Sequence, residues 1–158
     1  MISPNQETGR RGNKIKGFVI HITDGSYQSA IDWAMDPKSQ ISYHFIISKT
    51  GQKTCLVLPD NTAWHAGKIK DPTAEIITPN TNPNLYTVGI ALAGLPSEKP
   101  TIHQIVSTAE LLRMLADYYN LPLDKKTVIT HNSIRSDKIC PGPFVGIDYL
   151  LYLANLPA

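Results

Sequence analysis

Residues 85–93 read Leu-Tyr-Thr-Val-Gly-Ile-Ala-Leu-Ala, a stretch without a charge. Strands with one wet face alternate polar and apolar residues, so a near-continuous apolar run suits a strand buried on both faces. Such a strand needs a layer above and a layer below, and the rest of the chain supplies candidates for both. Thr101 and Gln104 have capping-box spacing, and Ile102, Ile105, Val106, Ala109, Leu112, Leu115, Ala116 and Tyr119 recur at helical intervals. Ser26 is placed to cap a second helix from about Tyr27 to Asp36, which Pro37 ends, with Ala30, Ile31, Ala34 and Met35 on its apolar face. A closing helix over Phe144–Asn155 turns Ile147, Leu150, Leu151 and Ala154 inward. Further strands are predicted at Gly17–Ile20, at Tyr43–Ser48 and Lys53–Leu58 joined by a hairpin around Thr50-Gly51, and at Lys126–Thr130. Strands and helices in this order predict an α/β protein with helices packed on a sheet. A chain of 158 residues, 42% of them apolar, fits one domain without disulfide staples, and no repeat or linker divides it.

Charge narrows the partners. Charged residues are 18% of the chain and the net charge is +2, too weak and dispersed to make nucleic acid the main partner. The basic cluster of Arg10, Arg11, Lys14 and Lys16 reads as a solvated or mildly anion-steering segment, and polar residues 1–14 as a surface wrap. No apolar stretch is long enough to span a membrane. The first fifteen residues lack an apolar h-region, so the expectation is a chain made in the cytoplasm without a signal peptide, and a monomer is expected.

Some residues have the right chemistry for a site. His21 follows the predicted strand Gly17–Ile20, and His131 follows Lys126–Thr130. Strand ends deliver side chains into the loop layer where sites are commonly built. Cys140 lies beyond His131 in a turn-rich stretch, within reach of its imidazole. Two histidines and a cysteine leave one tetrahedral position open, the arrangement of a catalytic rather than a structural zinc. On spacing alone the signal is weak, and a Cys55–Cys140 pairing stays open. Cys55, within Lys53–Leu58, has an ordinary explanation as a small strand thiol. Residues 59–84, rich in Pro and Asn, form a loop of a length that is usually functional or disordered.

Val19-Ile-His-Ile-Thr-Asp-Gly25, Ser42-Tyr-His-Phe-Ile46, Ala63-Trp-His-Ala-Gly67, Val88-Gly-Ile-Ala-Leu-Ala-Gly94 and Thr130-His131 with Lys138-Ile-Cys-Pro-Gly142 occur in that order. Together they resemble the type 2 N-acetylmuramoyl-L-alanine amidases, a family that also holds peptidoglycan recognition proteins and small phage lysozymes of the T7 kind. The resemblance spans about residues 16–155. It implies a single-domain central mixed β-sheet flanked by helices, one zinc ion, and cleavage of the amide between N-acetylmuramic acid and L-alanine in peptidoglycan. It places the metal on His21, His131 and Cys140, the last where many bacterial members carry Asp, and so speaks against a Cys55–Cys140 disulfide. Tyr43 matches a tyrosine that assists catalysis in the T7-like and recognition-protein branch, and Lys138 a position that stabilises the tetrahedral intermediate.

His65 is expected to contact substrate or handle protons at the cleft rim with Trp64 beneath it, a structural role for both staying open. Thr23 is expected to donate a hydrogen bond near the site. His44 should point away from Tyr43 and is not a ligand, and His103 should face solvent. Two departures stand out: Ala91 occupies the position of the family's frequent glutamate base, and Ile22 that of a second histidine. The first shifts proton handling towards Tyr43. A recognition module that binds muropeptide without cutting it is the alternative function, but that branch typically lacks ligands that are all present here. The setting expected is a phage-type endolysin or another wall-lytic enzyme, acting after release or export.

Overall fold

The uncharged run becomes the middle strand of a five-stranded sheet. The computed structural model describes residues 1–157, along which lie β1 (Gln6–Glu7), β2 (Gly17–Ile22), α1 (Tyr27–Met35), β3 (Phe45–Ile47), β4 (Lys53–Cys55), β5 (Thr62–Ala63), β6 (Thr87–Leu92), α2 (Ile102–Tyr119), β7 (Val128–Thr130) and α3 (Ile147–Ala154). Short 3-10 turns occupy Pro83–Leu85 and His131–Ser133. The sheet order is β4-β3-β6-β2-β7, with the β3–β4 hairpin antiparallel and the other pairs parallel. Every residue of β2 and β6 is buried, as a doubly covered sheet requires. The expected mixed α/β architecture is the one observed.

Strand alternation sorts the side chains into two layers. Phe18, Ile20 and Ile22 of β2, Val88, Ile90 and Leu92 of β6 and Phe45 and Ile47 of β3 pack with α2 and α3 into the largest core cluster. On the opposite face Ile46 and Ala91 pack under Ala30, Ile31 and Ala34 of α1. Further along that face, Val19 and Ile129 are covered by Ala66, Ile77, Leu85 and Tyr86 from the segment between β5 and β6. His21 belongs to this second face, between the helix and the loop.

Several local expectations need correction. The strand predicted to stop at Ile20 continues to Ile22, so His21 lies within it. In α2 the Thr101 capping box forms on both sides, but the buried face is rotated from the predicted stripe. Ile102 is 56% exposed and Val106 40%, while Gln104 and Thr108 are buried. Gln104 tolerates burial because its amide donates to the Ala93 and Ile47 carbonyls and its oxygen accepts from the Thr101 N–H. The last helix starts at Ile147, capped by Gly146, and leaves Phe144 outside it and 44% exposed. Arg10, read as solvated, is 8% exposed and donates to the carbonyls of Pro59, Asn84, Leu85 and Thr87. Ser3 and Asn5 are buried too, and Asn5 holds the chain after α1 through the Ala34, Asp36 and Ile41 carbonyls. The loop at 59–84 is pinned by β5, which pairs with β1.

Candidate metal centre

His21 is the fifth residue of β2 and stands opposite Ala91 of β6 in the register. The β2–β7 pairing ends at Ile20 with Thr130, and from there the chain turns at His131–Ser133. Beyond that point the β7 side of β2 has no strand partner, and the Ile22 N–H donates to Cys140 Sγ at 3.3 Å. The Asn132 N–H donates to the Cys140 carbonyl at 2.9 Å, tying the cysteine segment to the histidine turn. One ligand atom each from His21, His131 and Cys140 lies within 4.8 Å of the others, so the three could hold a metal ion. Both cysteines are free thiols.

The hydrogen-bond partners identify the nitrogen that each histidine offers. His131 Nε2 is 3.1 Å from the Ala66 carbonyl, which only an N–H can satisfy, and this leaves Nδ1 as the lone-pair nitrogen. His21 Nδ1 is 3.7 Å from Cys140 Sγ, and its Nε2 faces His65 Nδ1 at 3.1 Å. Bonds of about 2.0 Å to nitrogen and 2.3 Å to sulfur at a tetrahedral angle separate the two donor atoms by roughly 3.5 Å. The donor set and its spacing therefore fit a tetrahedral zinc site with one position left over.

Electrostatics keep the histidines neutral. Burial, reinforced by His131, His65 and His44, holds His21 well below the usual histidine range. Burial, then the nearby His131 and Arg10, lowers His65 to about 3. His131 is lowered as well, chiefly by burial. Burial pushes the Cys140 thiol up to about 11, against the pull of the Ile22 amide and the Lys138 charge. A cation entering here must displace that proton, as thiolate ligation requires.

The centre opens onto a cleft of about 660 Å³ whose lining includes Thr23, Tyr43, Trp64, Arg135 and Lys138. Tyr43 packs edge-on against His21, ring centroids 5.2 Å apart, and burial, followed by Cys140 and Asp24, raises its phenol above the normal range. Its hydroxyl has no hydrogen-bond partner among the described residues. Lys138 is exposed at the mouth. Trp64 and His65 both line the cleft, Trp64 half-buried and His65 only 5% exposed, with its Nδ1 against His21 Nε2. Thr23 serves the loop, donating to the Gly25 carbonyl and accepting from the Gly94 N–H.

His44 is no ligand and lies deeper than the centre, its ring centroid 5.5 Å from that of His65. It precedes β3 rather than alternating along it, so its placement follows from a bend. His103 is exposed as expected. Ala91 is fully buried among α1 residues, so β6 brings no carboxylate to the centre. Asn84, Gly89 and Arg135 were not singled out by sequence. Asn84 Oδ1 accepts from the His65 and Ala66 N–H groups, and Arg135 pairs with Asp137 at 3.1 Å. The Asn-rich composition of the 59–84 loop was the available signal for the first, and nothing in the sequence marked the third.

The profile of a family described as N-acetylmuramoyl-L-alanine amidase matches residues 11–143. N-acetylmuramoyl-L-alanine amidase A of Achromobacter lyticus is 34% identical over 79 residues, covering 49% of this chain and 37% of that protein. The chain thus matches well under half the length of that relative. Among solved structures, the endolysin amidase LysCS of Clostridium intestinale shares the fold with a TM-score of 0.73 at 21% identity, over 99% of this chain and 92% of that one. AmiD of E. coli, solved with anhydro-N-acetylmuramic acid-L-Ala-D-γ-Glu-L-Lys, aligns with a TM-score of 0.75 at 23% identity, over 88% of this chain and 57% of that one.

Proposed function

The chain belongs to the N-acetylmuramoyl-L-alanine amidase family, and from that premise we propose that it hydrolyses the amide joining N-acetylmuramic acid to L-alanine in peptidoglycan, with one zinc ion held by His21, His131 and Cys140. The observation that carries this reading is the convergence of the three donor atoms within 4.8 Å beside an open cleft. When bound, zinc supplies Lewis-acid activation of water and of the scissile carbonyl.

The protein's own groups do the rest. His21 and His131 present neutral nitrogens because burial keeps both rings unprotonated. The Tyr43 hydroxyl is held protonated and unpartnered beside His21, able to donate to an attacking water or a developing oxyanion. Lys138 places a positive charge at the cleft mouth, where it offsets negative charge accumulating on the carbonyl oxygen. Trp64 offers an aromatic wall for the muropeptide. We place the enzyme as a monomeric endolysin or other wall-lytic amidase, made in the cytoplasm and acting after release or export. Among the described residues no helix is long and apolar enough to cross a membrane.

Mass spectrometry of products from defined muropeptides, with and without a chelator, tests the reading. Free peptide amine and lactyl-bearing sugar should appear only in the metal-loaded sample. Cys140→Ala should lose both metal and hydrolysis, and Lys138→Ala should keep metal while losing about 10²-fold or more in kcat. Hydrolysis at an unchanged rate by the Cys140 variant would exclude the proposed centre. Metal-loaded protein that binds muropeptide without cutting it would instead identify a recognition module.

A further inference from the structure

We infer that His65 is a positioning residue for the metal centre: its Nδ1 accepts the His21 Nε2 proton and so holds the His21 ring with Nδ1 turned towards the ion. The inference rests on the metal-binding part of the proposed function and is independent of which bond is cut.

A neutral imidazole carries one proton, so a ring that ligates through Nδ1 must keep its proton on Nε2. His21 is 1% exposed, and the atom facing its Nε2 is His65 Nδ1 at 3.1 Å. With that proton accepted at Nδ1, His65 carries its own on Nε2, directed at Thr87 Oγ1 at 3.4 Å. The Thr87 hydroxyl in turn donates to the Pro83 carbonyl at 2.7 Å. Every donor in this series meets one acceptor, and the series ends on a backbone oxygen, which cannot donate. The opposite assignment would put a proton on His21 Nδ1, pointing at the sulfur and closing the ligand set. Histidine ligands usually give their second N–H to a carbonyl, carboxylate or water. His131 does so with the Ala66 carbonyl, whereas His21 uses a second imidazole.

The fold holds that second imidazole in place. A Cβ on Gly89 would come within 2.5 Å of His65 Cγ, so the bare backbone of the central strand forms the bed on which the ring lies. The His65 and Ala66 N–H groups are both fixed by Asn84 Oδ1, at 3.1 and 2.8 Å.

The test is direct metal affinity, measured by competition with a chromophoric chelator on folded protein, with cobalt absorbance as a second readout. His65→Leu should bind zinc about 10–100-fold more weakly than wild type, the usual loss when a ligand's outer partner is removed. His65→Asn places an amide oxygen near the lost Nδ1 and should return affinity to within about threefold. Gly89→Ala, which leaves His65 itself unchanged but crowds its ring, should weaken binding as His65→Leu does. Nitrogen NMR of the metal-loaded wild type should find both His21 and His65 protonated at Nε2, and this measurement decides the matter if His65→Leu fails to fold. Wild-type affinity in His65→Leu, an asparagine variant no better than the leucine one, or a His65 proton on Nδ1 would each overturn the inference. Wild type that takes up no zinc would remove the metal centre itself, and this inference with it.

Discussion

A half-buried phenol whose hydroxyl has no protein partner is poorly explained by packing alone, and Tyr43 is such a residue. Tyr43→Phe keeps the ring against His21 and removes only the oxygen. Its kcat should fall about 10²–10⁴-fold with metal content unchanged, the range for losing one positioned proton donor. An unchanged kcat would reduce Tyr43 to a packing aromatic. Arg10 makes the opposite case, a charged residue used for structure. It satisfies the carbonyls of Pro59, Asn84, Leu85 and Thr87, so Arg10→Met should leave them without their donor and cost about 3 kcal/mol or more in urea unfolding. Tyr43 and Cys140 were legible because they sit in motifs with a family pattern. Arg10 was not, because nothing in a run of basic residues says which one folds inward. His65 was legible as special but its partner was not, since the contact with His21 spans 44 positions in sequence.

Elements with local signals read well. The capping box at Thr101, the Ser26 cap and the Gly51 turn are set by residues a few positions apart, and all three form. Thr101→Ala removes the acceptor for the Gln104 N–H and a donor to the Lys49 carbonyl, and should destabilise the protein by about 1 kcal/mol without changing metal affinity. The inward face of α2 read less well because Gln104 and Thr108 are buried by virtue of hydrogen bonds that hydrophobic spacing cannot register. The end of β2 was missed for a related reason. Its last residues are kept in the sheet by β6, through pairs such as His21 with Ala91, and their other edge is met by a sulfur from residue 140.

Across the whole molecule, buried neutral histidines make acid the natural stress. Burial, then His65 and Arg10, keep His44 well below its ordinary value of 6.5. The Gly89 N–H donates to its Nδ1, so its own proton sits on Nε2, 3.1 Å from the Asn61 carbonyl, and the one nitrogen open to a second proton is already occupied. The folded pKa lies below the unfolded one, so the unfolded chain binds the extra proton. This contribution is therefore complete above pH 6.5 and is lost as pH falls below it, at up to about 1.4 kcal/mol per pH unit. Urea midpoints of metal-free protein at pH 7.5, 6.5 and 5.5 should fall accordingly, and His44→Asn should flatten the decline by about that slope. Equal slopes would show that His44 does not titrate on unfolding.

The sheet's two faces also divide the work. α2 and α3 form a foundation against one face, while His21 lies on the opposite one, roofed by α1 and the segment between β5 and β6, and Cys140 comes in at the open edge of β2. Exposed side chains of that roof can therefore be exchanged to meet a different wall chemistry while the α2 and α3 packing on the other face stays as it is. Exchanging exposed cleft residues should alter substrate preference far more than it alters thermal tolerance.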